Sequence, residues 1–248
     1  MALTLAQRMS AAAHRDLPHA NPLSSEQFDS LVKALADERP REVLDVGCGW
    51  GSFAIALAQV SDTSILGVDI NTEFLARARS STTGAKLIGS IDFRETSVMA
   101  VTNREFDAVA CIGSAQAFGT TTQAVERCAA LLRDDGILLF ADGVWEQAPP
   151  QEFLDFLGIE ASTYWLREEA EAVFERAGLI IRRQEVTSAP SWSAYEDAIH
   201  AGRLRFAGSL DKEEADAVRT RTEAWTAAWQ RWGRHYLGFV AYLASRPV

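Results

Sequence analysis

Two periods alternate along this chain. Phe28, Leu31, Val32 and Leu35 recur at i, i+3, i+4 and i+7, which predicts an amphipathic helix over residues 24–38. Ser24 with Gln27 supplies a capping box for it, and Pro40 stops it. Short continuous apolar runs then alternate with helical stretches. The runs predict strands over 41–46, 64–69, 91–97, 106–112 and 136–141. The stretches between predict helices over 51–60, 72–82 and 120–133, the last with Val125, Cys128, Ala129 and Leu132 on one face. A helix over 163–177 closes at Gly178, and sixth and seventh strands are expected over 179–186 and 236–243. Alternating strands and helices imply an α/β fold with a doubly wound parallel sheet covered on both faces.

The segments that interrupt this alternation have a pattern. Residues 113–119, 142–162 and 188–234 follow the fourth, fifth and sixth strands. They therefore leave the carboxyl edge of a parallel sheet, where such folds bind ligands. The N-terminal arm, residues 1–23, can cover the same edge. One domain over 1–248 is expected, with the arm as a lid and 142–162 and 188–234 as helical cap insertions over a pocket for a small ligand. Within the cap, Val218, Trp225, Trp229 and Trp232 form a stripe at helical spacing, read as contact with the sheet, and Asp211 with Glu214 caps that helix.

Composition narrows the class. Apolar residues make up 48% of 248, enough for a large core. A net charge of −10 repels phosphate backbones, so no nucleic-acid partner is expected. The arginines at 203, 205, 219, 221, 231 and 234 are diluted by neighbouring acids. No run approaches a membrane span and the N-terminus lacks a secretory core, so a cytoplasmic location is expected. Cys48, Cys111 and Cys128 lack zinc-site spacing, and no metal site is expected.

The candidate chemistry centres on residues 43–51, Val-Leu-Asp-Val-Gly-Cys-Gly-Trp-Gly. An apolar run ends in glycines at 47, 49 and 51 and resumes as a helix from Phe53. Glycine lets backbone approach a ligand with no Cβ in the way, and the helix start offers free N–H groups. A second strand, Ser64–Asp69, ends in a carboxylate eighteen residues after Gly51. Such a carboxylate can accept from both hydroxyls of a ribose. A plain helix opening at Asp69-Ile70-Asn71-Thr72 is compatible with the same residues.

The G-x-G-x-G spacing, with Asp45 two residues ahead of it, resembles motif I of the class I S-adenosylmethionine-dependent methyltransferases. The dinucleotide fingerprint would instead need a third glycine at 52, where Ser52 stands. Phe106–Ser114 resembles that family's motif IV, and Leu131–Phe140 its fifth-strand segment, so the resemblance runs in order over residues 40–187. Asn21–Ser24 and Cys111–Gly119 resemble a bacterial small-molecule subgroup. The resemblance implies a Rossmann-like seven-stranded sheet of order 3-2-1-4-5-7-6. It also implies S-adenosyl-L-methionine as cofactor, S-adenosyl-L-homocysteine as product, and in-line methyl transfer to a small-molecule acceptor.

Residue by residue, the resemblance implies that Gly47, Gly49 and Gly51 shape the loop around the methionine and ribose parts of the cofactor, and that Asp45 orients that loop and the cofactor's amino-acid part, directly or through water. Asp69 would hold the ribose, Ile70, Ser97 and Val98 would surround adenine, and the Gly113 backbone would face the cofactor's amino group. Ser97-Val98 stands where the family often has Asp-Ala. Gln116 and Phe118, after the fourth strand, are expected beside the acceptor, as is Trp145 after the fifth. His14 and His19 of the arm and Glu146 are the candidate bases. His200 is a weaker candidate in the cap, and His235 reads as structural. Pro149-Pro150 follows the fifth strand and so is not the Pro-Pro loop of amino-methylating DNA enzymes. A nicotinamide-dependent oxidoreductase and a non-catalytic binder of the same cofactor remain the alternatives. The sequence leaves open whether oxygen, nitrogen, sulfur or carbon receives the methyl group, and the oligomeric state.

Overall fold

The computed structural model describes residues 3–102 and 105–247; residues 1–2 of the arm lie outside them. The arm forms α1 (Leu5–Ala13), capped by Thr4, and α2 is Ser25–Asp37, capped by Ser24. There follow β1 (Glu42–Val46), α3 (Ser52–Val60), β2 (Ser64–Asp69), α4 (Thr72–Thr82), β3 (Ser90–Glu95) and β4 (Phe106–Ile112). Next come α5 (Thr121–Ala129), β5 (Leu132–Trp145), α6 (Gln151–Leu157), α7 (Ala170–Arg176) and β6 (Ile180–Val186). The cap contributes α8 (Ala189–Ala207) and α9 (Lys212–Ala228), and β7 (Leu237–Ser245) is the last strand along the chain.

The strands pair in the order β3-β2-β1-β4-β5-β7-β6, with β7 antiparallel to both neighbours. That is the order the family resemblance implied. Alternate residues of the central strands feed two cores. Leu44, Val46, Val109, Cys111, Leu138 and Phe140 pack with Val125 and Cys128 of α5 and Phe174 of α7. Val43, Ile65, Ala108, Ala110 and Leu139 pack with Leu31 and Leu35 of α2, Leu57 of α3 and Leu75 of α4. Each fully buried Leu, Ile or Phe stabilises by ~1.5–3 kcal/mol relative to exposure. Apolar runs without strict alternation follow from burial on both faces.

Several boundaries differ from the sequence reading, each for a tertiary reason. β5 begins at Leu132, paired with Phe106, so α5 ends at Ala129 rather than 133. It also continues past 141, because Asp142 to Trp145 find antiparallel partners in Val240 to Leu237 of β7. β3 stops at Glu95 because the Ser97 hydroxyl turns back to accept from Met99 N and caps a 3-10 turn. The helix expected from 163 starts only at Ala170, since Leu166 bridges to Trp145.

The tryptophan stripe reaches the sheet indirectly. Trp229 stacks on Trp192 of α8, whose ring meets Phe239 of β7. Trp232 stacks on Phe153 of α6 and Trp225 on Phe156, while Val218 joins Met9 and Ala207 in a small cluster between arm and cap. The arm is fastened to the cap by Arg8–Glu214 at 3.1 Å and by Asp16–Arg205. Their backbones nearly touch: a Cβ at Gly202 would lie 2.5 Å from Ala13 O. Among the described residues, no helix is long and apolar enough to cross a membrane.

Candidate functional site

β1 and α3 are joined by a loop whose three glycines all take positive φ, at 62°, 54° and 76° for Gly47, Gly49 and Gly51. Each serves a different end. A Cβ at 47 would lie 2.4 Å from Ser114 Cβ, and one at 51 would lie 2.4 Å from Phe93 Cζ, whereas one at 49 would meet nothing within 4 Å. Gly47 and Gly51 thus admit close neighbours, and Gly49 is open. The loop is tied down by Cys48 N to Val68 O, Gly51 N to Cys48 O, and Gly49 N to Asp69 Oδ2 at 2.9 Å.

Asp69 is the hub of this edge. Its Oδ1 also accepts from Asn71 N at 2.7 Å, while Asn71 caps α4 and its side-chain amide reaches Gln7 O in the arm. Burial pushes the Asp69 carboxyl up, and the backbone N–H donors oppose that. Asp45 lies beneath the loop, between Gly67 and Ala110 of the neighbouring strands. It is 3% exposed, and Oδ2 has no hydrogen-bond partner. Burial, then the nearby Asp69 charge, pushes its pKa up to about 8, opposed by a hydrogen bond with the Ala54 backbone.

A cavity of about 640 Å³ opens over this edge. Gly47, Gly49, Asp69 and Ile70 form one wall, Ser97 and Val98 a second, and Gly113 and Gln116 a third. Gly113 takes φ 69° and donates its N–H to Ala141 O at 2.7 Å, so that N–H is not free to meet a ligand. Asp45 and Gly51 do not reach the cavity: Asp45 is buried below the loop, and Gly51 lies against the Phe93 ring.

The arm closes the cavity with Gln7, Ser10 and His14. His14 Nδ1 lies 2.8 Å from Ser10 O, and Nε2 lies 2.8 Å from the Tyr195 hydroxyl of α8. Burial holds its pKa below 6.5. The other candidate bases lie elsewhere. His19 is buried, stacks on Phe28 at 4.5 Å and bonds Leu23 O through Nε2 at 2.7 Å, and lines a different pocket with Trp50 and Arg77. Glu146 pairs with Arg167 at 2.9 Å on a separate surface cleft that includes Glu171 and Gln184. Trp145 is fully packed against Phe153 and Tyr164, its Nε1 spent on Ala161 O. Phe118 is half-buried and packs against the core on the α5 side of the sheet rather than lining the cavity. His200 bonds Thr226 Oγ1 at 2.9 Å.

Sequence reasoning missed three polar side chains at the carboxyl edge. Tyr195 lines the cavity. Asp142, just past the β4 register, accepts from Ala115 N at 2.8 Å and Gly143 N at 2.7 Å, and burial pushes its pKa up to about 6. Tyr164 packs over Gly143, and burial with the Asp142 charge pushes it up to about 12. An acid directly after the apolar run 136–141 was a usable signal for Asp142. Tyr195 had none.

Residues 43–136 match the family model described as a methyltransferase domain. A ubiquinone biosynthesis O-methyltransferase from Actinobacillus pleuropneumoniae serotype 5b (strain L20) is 31% identical over 128 residues, 49% of this chain and 52% of that protein. The chain thus spans about half the length of the curated relatives it matches. A methyltransferase from Geobacter sulfurreducens, solved with S-adenosyl-L-homocysteine, superposes with TM-score 0.86 at 23% identity over 97% of this chain and 98% of that one. Another from Thiobacillus denitrificans, solved with the same compound, gives 0.85 at 22% identity over 100% of both. These two likenesses are of fold.

Proposed function

We propose that the chain is a class I methyltransferase that uses S-adenosyl-L-methionine as cofactor and methylates a hydroxyl oxygen of a small molecule. One observation carries the reading: the open Gly49 backbone and the Asp69 carboxylate face a single cavity that the arm roofs over. The residues fit the cofactor. Gly49 leaves room for backbone approach, and a two-oxygen acceptor suits a ribose diol. When bound, the cofactor would supply an electrophilic methyl carbon, to which the acceptor oxygen would bond as the carbon–sulfur bond breaks and its electron pair stays on sulfur.

The protein's share is position and exclusion of water. In this reading Gly47 and Gly49 shape the floor. Asp69 would hold the ribose hydroxyls with the acceptor capacity its two backbone N–H bonds leave free. Ile70, 59% exposed here, is covered by adenine, with Ser97 and Val98 at its edge. The Gly113 N–H is taken by Ala141 O, so its carbonyl would be the group left to meet the cofactor's amino group. Gln116 lies toward the acceptor. Gly51 and Asp45 act from beneath, supporting the loop without touching ligand. A cavity of about 640 Å³ suits a cofactor with a small acceptor and not a polymer. The curated relatives' name supports oxygen as the atom methylated.

Calorimetric titration with S-adenosyl-L-homocysteine, against NAD, tests the cofactor. Micromolar binding of the first and none of the second is expected; the reverse would favour an oxidoreductase. Asp69→Ala should weaken the homocysteine product at least tenfold, since each hydrogen bond to a charged group contributes ~1.5–3 kcal/mol. Unchanged affinity would remove the ribose assignment.

A further inference from the structure

His14 and Tyr195 come from opposite ends of the chain, meet at 2.8 Å, and both line the cavity. The proton positions follow from chemistry. Ser10 O is a carbonyl and only accepts, so the Nδ1 that faces it carries the hydrogen. In the neutral ring Nε2 is then a bare lone pair, and the Tyr195 hydroxyl donates to it. That leaves the phenol oxygen with lone pairs and no proton of its own to offer a ligand.

We propose that Tyr195 and His14 form a proton relay that removes the proton of a phenol-type hydroxyl acceptor as its oxygen is methylated. The proposal rests on the methyltransferase reading above. The acceptor O–H proton passes to Tyr195 Oη as the Tyr195 proton passes to His14 Nε2. The imidazolium, held by the Ser10 carbonyl, releases that proton to water after turnover. A free phenol titrates near ~10 and keeps its proton at neutral pH, so it needs such a base, whereas an amine or thiolate does not.

The surroundings suit a relay rather than storage. Burial keeps His14 neutral and able to accept, and Arg203 of α8 opposes its charged form. Burial, then the Glu196 charge, holds the Tyr195 hydroxyl far above its ordinary range; Asp142 of β5 adds to this and Arg203 opposes it. Tyrosinate is therefore disfavoured, and the proton moves through Tyr195 without resting there.

The test compares wild type, Tyr195→Phe, His14→Gln and the double variant. Affinity for S-adenosyl-L-homocysteine is measured first and should stay within about threefold. With S-adenosyl-L-methionine and a fixed panel of catechols and simple phenols, kcat should fall ~100-fold or more in each single variant. The double variant should fall no further, because the pair acts as a unit. Independently of turnover, nitrogen NMR of the free protein should show the Nδ1–H tautomer of His14. An Nε2–H tautomer, wild-type kcat in Tyr195→Phe, or wild-type turnover of thiols but of no hydroxyl would each overturn the relay. So would a loss of product affinity that parallels the loss of kcat, which would mark the pair as a latch between arm and cap. Wild type that binds no S-adenosyl-L-homocysteine, yet has the Nδ1–H tautomer, refutes the methyltransferase reading and with it the relay.

Discussion

Gly49→Ala and Gly51→Ala separate ligand approach from packing within one loop. Both positions take positive φ, where an L side chain costs ~1–2 kcal/mol. At 49 that is the whole cost to the fold, since a Cβ there meets nothing within 4 Å. At 51 a Cβ falls 2.4 Å from Phe93 Cζ and 3.3 Å from Ala78 Cβ, in a buried part of the core. The Phe93 ring also covers Gly67, where a Cβ would lie 2.8 Å from Cδ1. Overpacking of this kind adds ~1–3 kcal/mol. At ~2–4 °C per kcal/mol for a chain of this size, Gly49→Ala should lower Tm by ~2–8 °C, and Gly51→Ala by a further ~2–12 °C. Binding should rank the other way. Gly49→Ala places a methyl group on the cavity floor and should weaken S-adenosyl-L-homocysteine at least tenfold, while the Gly51→Ala protein that remains folded should bind it better than that. Phe93→Leu should recover part of the Gly51→Ala loss. Thermal scans and calorimetry read both quantities. Equal losses of Tm would refute the steric argument, and wild-type affinity in Gly49→Ala would refute the approach of this backbone to the cofactor.

Three further outcomes follow from the geometry. Asp45 titrates at about 8 in the fold against 3.8 when free, so the native state favours its protonated form, and its stability contribution falls as pH rises from about 4 to 8. Asp45→Asn should therefore raise Tm relative to wild type more at pH 8 than at pH 5, and a pH-independent difference would contradict the assignment. His19→Ala should lose ~1–3 kcal/mol of stability through its ring stack and its bond to Leu23 O, with kcat of the folded enzyme unchanged. Glu146→Gln removes one partly exposed ion pair and should shift Tm by no more than ~4 °C, again without effect on kcat; a large kcat loss would return Glu146 to the active site.

What the sequence revealed was local, and what it hid was not. The glycine loop, Asp45 and Asp69 were legible because a strand, a turn and a helix start follow one another within a few residues. The histidines were not separable by such signals. His14 and His19 share one arm, five residues apart, yet His14 ends α1 facing the cavity while His19, beyond Pro18, folds under Phe28. The end of β5 was illegible because Asp142 to Trp145 owe their strand geometry to β7, nearly a hundred residues later. Trp145 and Glu146 were misplaced for the same reason. Tyr195 carried no local mark: its neighbours on α8 are ordinary helix residues, and its partner lies 181 residues away. Strand order came from the family resemblance, since hydrophobic periodicity carries no information about which strands are neighbours.

The contact between Ala13 and Gly202 has a consequence for recombination. Any side chain at 202 would strike the backbone of the arm, and the ion pairs Arg8–Glu214 and Asp16–Arg205 match charges across the same seam. Residues 3–16 of the arm and the cap over 188–234 therefore form one inheritable unit split between distant parts of the chain. A chimera that takes its cap from a relative must take that relative's arm as well, or it assembles a roof whose two halves were shaped for different proteins.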